Sequence, residues 1–281
     1  MIFRLLKLGS FLVCMSLTML FLFVSCREFL NPYDPESPTY ELPPNTYTVT
    51  FDKQGGSGGS SSANATYDQP MPSAAAPSRT GFTFGGYYTG TNGGGTQYYT
   101  ASMTSARNWN IADDTTLYAK WTPLGIGDPG PAGGIIFYDK GSYSGGWRYL
   151  EAATSDLIVG STYQHEWGGY GTSVGGTSAA VGTGEANTQA IVNKLGAGSY
   201  AAKLCYDLTL GGYDDWFLPS KDELNLMYQQ RGVIGGFSSN DYWWSSSEYG
   251  SFFARKQNFA NGRQIYNNKN NDSCVRAVRA F

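Results

Sequence analysis

Gly211-Gly-Tyr-Asp-Asp-Trp-Phe-Leu-Pro-Ser-Lys-Asp-Glu-Leu-Asn-Leu-Met-Tyr228 places a strand, a helix cap and a helix in direct succession. Trp216, Phe217 and Leu218 form an apolar run that Pro219 must end, because its ring removes the ladder donor. Ser220, with Glu223 three residues on, is a capping box in which each side chain takes a backbone N–H of the other residue. Leu224, Met227 and Tyr228 then fall at i, i+3 and i+4, so the helix buries one face. Gly232 is placed to let the chain leave through a left-handed residue.

Working outward, Ser199–Leu208 carries a second helical stripe of Ala201, Ala202, Leu204, Cys205 and Leu208, and Ala186–Leu195 a third built on Ile191 and Leu195. Ile135–Tyr138 and Trp147–Leu150 read as a hairpin. Residues 160–184 are a glycine-, serine- and threonine-rich loop with Trp167 and Tyr170 as anchors. Tyr242–Tyr249, Gln257–Arg263 and Cys274–Phe281 read as strands between polar turns.

Five motifs in this order resemble the Lcl C-terminal domain family, named for the end of a bacterial collagen-like adhesin. They are Ala132-Gly-Gly-Ile-Ile-Phe-Tyr138, Gly146-Trp-Arg-Tyr-Leu-Glu-Ala152, Asp215-Trp-Phe-Leu-Pro-Ser220, Tyr242-Trp-Trp-Ser-Ser-Ser-Glu248 and Val275-Arg-Ala-Val-Arg279. The resemblance spans residues 127–281 and implies a C-type-lectin-like fold. Cys205 on a helix and Cys274 opening the last strand read as a disulfide in an exported chain, with a free buried thiol pair as the alternative. Lectin-like domains join their first helix to their last strand in this way, so the resemblance favours the bridge. Formylglycine-making relatives of the fold need a cysteine pair, and no thiol is left over for that chemistry.

Upstream, Tyr47-Thr-Val-Thr-Phe-Asp52, Arg79-Thr-Gly-Phe-Thr-Phe-Gly-Gly-Tyr-Tyr88 and Thr116-Leu-Tyr-Ala-Lys-Trp121 resemble the internalin-type B repeat, or Listeria-Bacteroides repeat. That resemblance implies a small β-grasp-like spacer or adhesive module. The predicted protein is therefore α+β: a β-grasp-like repeat at 46–122, a linker at 123–130 and a C-type-lectin-like domain at 131–281. The linker contains Gly125-Ile-Gly-Asp-Pro-Gly130, which spells a dinucleotide fingerprint. Pro129 and Pro131 forbid the helix that would hold a pyrophosphate, so the segment reads as a hinge.

Residues 1–25 carry Arg4 and Lys7, then an apolar run from Phe11 to Val24, too short for a membrane span and flanked as a secretory signal is. Val24-Ser25-Cys26 resembles a bacterial lipobox, with Cys26 as the lipidated first residue, though Phe23 departs from the usual aliphatic. The proline-punctuated stretch 26–45 reads as a tether. The expected location is the cell envelope, lipid-anchored, at the outer membrane surface, with the membrane as one partner through the N-terminal lipid. Loss of Arg4 and Lys7 takes the net charge from −3 to −5, which argues against nucleic acid. Residues 249–281 nevertheless hold Arg255, Lys256, Arg263, Lys269, Arg276 and Arg279 against only Asp272, and such a face could meet a polyanion. Arg276 and Arg279 read as braces of the fold.

His165 is the only histidine and lies in a glycine-rich loop, where it reads as a surface residue; a multi-histidine metal site is excluded. Asp214-Asp215, Asn267-Asn268 and Asn270-Asn271-Asp272 offer oxygen ligands that suit calcium, but these residues are also the usual turn formers; no other cofactor is implied. Trp216, Trp243 and Trp244 could stack on sugars, yet read as core with at most one exposed. Asp214, Asp215, Glu223 and Glu248 would support an envelope enzyme only if they gathered in a cleft. Phe252, Phe253, Arg255, Arg263, Tyr266, Asn267, Asn268, Lys269 and Asn271 mix aromatic, amide and basic groups between strand residues, the chemistry of adaptable recognition surfaces. They are the expected ligand-binding set, for a carbohydrate, glycosaminoglycan or protein. The layout also resembles the variable region of diversity-generating retroelement targets, and a structural spacer is a further alternative. The main reading is an adhesin-like binding protein, not an enzyme. Mass spectrometry of the mature protein is expected to find Cys26, acylated, as its first residue; an unmodified start elsewhere overturns the lipoprotein reading.

Overall fold

The computed structural model describes residues 45–238 and 241–281. The leader, Cys26 and the tether up to residue 44 lie outside them. No helix among the described residues is long and apolar enough to cross a membrane.

The first sheet contains β1 (Thr46–Asp52), β2 (Ser62–Thr66), β3 (Phe82–Tyr88), β4 (Gln97–Tyr99) and β5 (Thr115–Pro123), in the order β2-β1-β5-β3-β4. β1 and β5 run parallel, with Val49 opposite Thr115 and Phe51 opposite Leu117; the other pairs are antiparallel. Alternation puts Val49, Phe51, Leu117 and Ala119 on one face, where they bury against Tyr87, Tyr99 and Trp109. Gly86 has φ 106° within the β3–β5 irregularity, and a Cβ there would stand 2.2 Å from the Tyr99 carbonyl of β4, so this position requires glycine.

Two further sheets follow. β6 (Ile135–Ser144) and β7 (Trp147–Ala152) form the expected hairpin, which β13 (Val278–Ala280) joins in the order β13-β7-β6. β8 (Gln164–Glu166), β9 (Tyr242–Glu248), β10 (Phe253–Asn258), β11 (Gln264–Asn268) and β12 (Asp272–Cys274) form a sheet ordered β11-β10-β9-β12-β8. The helices are α1 (Gly184–Leu195), α2 (Ala201–Tyr206), α3 (Lys221–Gln229) and α4 (Arg231–Ile234). The protein is thus mixed α and β with strands dominant.

Adjacent residues of β9 point to opposite faces, and both faces of this sheet are covered. Trp244 packs with Ile191, Ala201, Cys205, Trp216 and Val275 on the α1–α2 side. Trp243 packs with Leu224, Met227, Phe259 and Cys274 on the α3 side. All three of the tryptophans named as core, Trp216, Trp243 and Trp244, are buried. The α3 cap forms as the sequence indicates: Ser220 Oγ accepts from Glu223 N at 3.2 Å, and Glu223 Oε2 accepts from Ser220 N at 2.7 Å.

Several expectations are corrected. The chain does not leave the helix at Gly232, which lies inside α4; the left-handed exit is Gly235, φ 73°. Trp216–Leu218 is no strand but a single two-bond bridge from Phe217 to Val278, because Pro219 ends it at once. The strand expected at Gln257–Arg263 is instead β10, Phe253–Asn258, and residues 259–262 turn the chain beneath the Tyr228 ring. Cys274–Phe281 splits into β12 and β13, which belong to different sheets. The 125–134 segment is not a free hinge: Gly127 N donates to Ile136 O, Ile136 N to Asp128 O and Gly130 N to Gly134 O, which fold it onto the hairpin.

The disulfide between Cys205 and Cys274 does not form; both are free, buried thiols. Cys274 sits opposite Trp243 across β12–β9 and shares its face of the sheet, whereas Cys205 packs on the Trp244 face. A one-residue parity difference therefore puts the sheet between them. Burial pushes both thiols up, Cys274 to about 12, so neither is reactive in the folded chain. Alkylation without reductant is expected to spare Cys205 and Cys274 in native protein and to modify both in denaturant; a linked peptide pair in a non-reducing digest would contradict this.

Candidate functional site

The C-terminal segment and the glycine-rich loop meet at one end of the five-stranded sheet. Tyr170 from the loop and Phe252 from the β9–β10 turn stand edge to face with centroids 5.1 Å apart. Tyr249, just past β9, stacks on Tyr266 of β11 at 4.3 Å with ring planes 9° apart, and Phe253 meets Tyr266 edge-on. The Arg255 guanidinium lies 4.7 Å from the Tyr249 centroid. Tyr170, Tyr249, Phe252 and Tyr266 are 49%, 52%, 46% and 50% exposed, so this is an aromatic surface and not a core that happens to reach water.

The other named residues divide. Arg263 is exposed, and Phe253 and Arg255 are half-buried. Asn267 Oδ1 accepts from Asn268 N at 2.9 Å and from Asn271 Nδ2 at 3.0 Å, so these amides brace the β11–β12 turn at the rim. Lys269 is not a surface ligand. Its ammonium is buried, donates to Glu248 Oε1 at 2.5 Å and Thr172 O at 2.8 Å, and lies 4.5 Å from the Trp167 ring centroid. Lys256 is buried too; its amine donates to Ser273 Oγ at 3.1 Å and lies beside Tyr242 and Trp244, and burial holds it below its ordinary pKa. Arg276 and Arg279 are buried braces. Of the six cations that could make a basic face, only Arg255 touches these rings; Arg263 is exposed but lies at the β10–β11 turn, the far end of the hairpin from Phe253 and Asn268.

Tyr249 was absent from the sequence-based set. The signal for it was its place at the end of the expected Tyr242–Tyr249 strand, directly before Gly250-Ser251, where alternation no longer commits a side chain to the interior.

The alternative sites come apart. His165 is buried, not exposed, because β8 pairs it with Ser273; its Nε2 lies 3.2 Å from Leu157 O. Glu223 serves the α3 cap and also accepts from Gly182 N at 2.7 Å, with burial pushing its carboxyl up. Asp215 and Glu151 both accept from Arg279, and Glu151 also accepts from Gly134 N at 3.0 Å. A Cβ at Gly130 would stand 2.3 Å from Glu151 Oε2, so glycine there makes room for that carboxylate. Glu248 is paired with Lys269. Four carboxylates named as one possible cleft therefore sit in three separate arrangements. Asp214 and Asp215 do line a polar cleft with Glu185, Gln189 and Tyr206. Among the described residues no group of three or more His, Cys, Asp or Glu is placed to hold a metal ion.

No curated protein matches the chain. Residues 47–120, which span the first sheet from β1 into β5, match the Listeria-Bacteroides repeat domain.

Proposed function

We propose that the chain is a bacterial envelope protein, lipid-anchored through Cys26, whose C-type-lectin-like C-terminal domain binds a carbohydrate or protein ligand, with the repeat domain as spacer. The observation that carries this reading is two contacting pairs of exposed aromatic rings, Tyr170 with Phe252 and Tyr249 with Tyr266, each drawing one ring from residues 249–252 between β9 and β10. Flat amphipathic rings combine apolar area with few rotatable bonds, so they lose little entropy when a ligand covers them. Arg255 beside Tyr249 and the amide rim of Asn267, Asn268 and Asn271 add directional hydrogen bonding.

Burial of Lys256 and Lys269 weakens the case for a glycosaminoglycan or other polyanion, since two surface arginines release few counterions. The separation of the carboxylates likewise favours binding over catalysis. The acidic cleft at Asp214 and Asp215 lacks the paired, desolvated carboxylates that acid–base chemistry would need.

A screen of the purified chain against neutral and sulfated glycans and extracellular proteins tests the reading. For a ligand so found, replacing Tyr249, Phe252 and Tyr266 by alanine is expected to cost about 2 kcal/mol or more per hot-spot ring, while unfolding free energy changes by about 1 kcal/mol. Affinity should fall only several-fold between low and high salt. Unchanged affinity in the stable triple variant moves the site elsewhere.

A further inference from the structure

The loop at 168–177 supplies Tyr170 to the aromatic face but has little means of holding its own shape. Gly169, Gly171, Gly175 and Gly176 all have positive φ, and the loop has one backbone hydrogen bond of its own, Thr172 N to Gly169 O. A chain so rich in glycine loses much entropy on ordering. Most of the side-chain hydrogen bonds that hold it converge on Glu248 and its partner Lys269. Glu248 Oε1 accepts from Val174 N at 2.8 Å and from Lys269 Nζ; Oε2 accepts from Gly175 N at 2.9 Å and Ser173 Oγ at 3.3 Å. Lys269 in turn donates to Thr172 O, while its own backbone N donates to Phe252 O and its carbonyl accepts from Trp167 N and Gly168 N. Gly171 N donates to Ser251 O and closes the ring of contacts beneath the Tyr170–Phe252 pair.

We propose that the buried Glu248–Lys269 pair is the positioning device of the recognition face: it seats the 168–177 loop against the 250–253 turn and so brings Tyr170 to Phe252. A buried ion pair does little for net stability, because desolvation offsets the Coulomb attraction. What it fixes here is geometry. Two carboxylate oxygens satisfy two loop N–H groups, a hydroxyl and an ammonium at once, a set no apolar pair can reproduce. Burial pushes the Glu248 carboxyl up, but its bonds from Lys269, Val174 and Gly175 outweigh that and hold it below its ordinary value, consistent with a carboxylate that stays charged. The functional meaning of the device rests on the binding reading above; the device itself does not.

Two variants of the full chain test it. Glu248→Asp keeps the charge and shortens the reach by one methylene. Glu248→Gln with Lys269→Met removes both charges, so no buried ion is left unpaired. The probe is hydrogen exchange read by mass spectrometry, with hydroxyl-radical footprinting of Tyr170 and Phe252, and neither needs a ligand. Expected in both variants is exchange about tenfold or more faster across 168–177, with greater oxidation of the two rings and unchanged protection in α1, α3 and β9. Wild-type protection of 168–177 in both variants overturns the proposal. So does faster exchange spread over the helices and β9, or failure of both variants to fold, since the pair would then hold the domain and not the loop. Loop release without any effect on a ligand found by screening would leave the device standing and remove the binding face.

Discussion

The two C-terminal sheets depend on one crossing. Residues 275–277 carry the chain from β12 in the five-stranded sheet to β13 in the three-stranded sheet, and Arg276 sits in the middle of that passage with its side chain fully buried. Its guanidinium donates to Asp156 Oδ1 at 2.6 Å, to Ala153 O at 3.0 Å and to Gly236 O at 2.8 Å, and lies over Phe237. Asp156 also accepts from Trp243 Nε1 at 2.9 Å. One planar fork thus joins the connection after β7, the connection after α4 and the β9 core. Arginine suits the place because its donors are fixed in a plane and it stays charged when dehydrated. Three residues later Arg279 repeats the device in the other sheet, held by Glu151 and Asp215 beneath Tyr213.

Once the two sheets are joined, strand parity distributes everything else. Trp243 and Trp244, Cys274 and Val275, and Phe217 and Leu218 are neighbours in the chain that belong to different cores. The polar side chains of β9 then organise its margin. Ser246 N donates to Pro219 O, Ser247 Oγ donates to Ser178 O, and Lys221 N donates to Ser247 Oγ, tying the α3 cap to the loop before α1. Glu248 closes the row. The serine run that looks featureless in the sequence is the seam along which loop, cap and sheet are joined, and the aromatic face sits at its end.

This arrangement separates the residues that make the domain from those free to serve a ligand. The buried cations satisfy buried acceptors and are committed. Tyr170, Tyr249, Phe252 and Tyr266 contact chiefly one another and the partly buried Phe253 and Arg255, and large apolar groups left half in water on a rigid scaffold are where recognition concentrates.

What the sequence determined by itself was local. Ser220 and Glu223 fix the start of α3 because a capping box needs only residues three apart, the hairpin at 135–152 follows from alternation, and the strands of the repeat show the same period. Phe252 was legible as a surface residue because it lies in a turn, whereas Tyr266 is exposed from the middle of the edge strand β11, which the sequence reading took for a connection. Parity and partners across the fold were decided only by tertiary structure. Cys205 and Cys274 look like a disulfide when they are placed on a helix and a strand, and the intervening sheet is invisible until β12 is paired with β9. Lys269 looks like a surface cation among asparagines, and Glu248 like a strand-end carboxylate; their pairing lies 21 residues apart and depends on the β10–β11 hairpin returning the chain. His165 looks exposed in a glycine-rich loop until Ser273 arrives beside it more than a hundred residues later. Short-range chemistry is written in neighbouring residues, whereas burial is a property of the faces that distant strands close over, and that is why the sequence showed the elements and the fold chose which charges became surface.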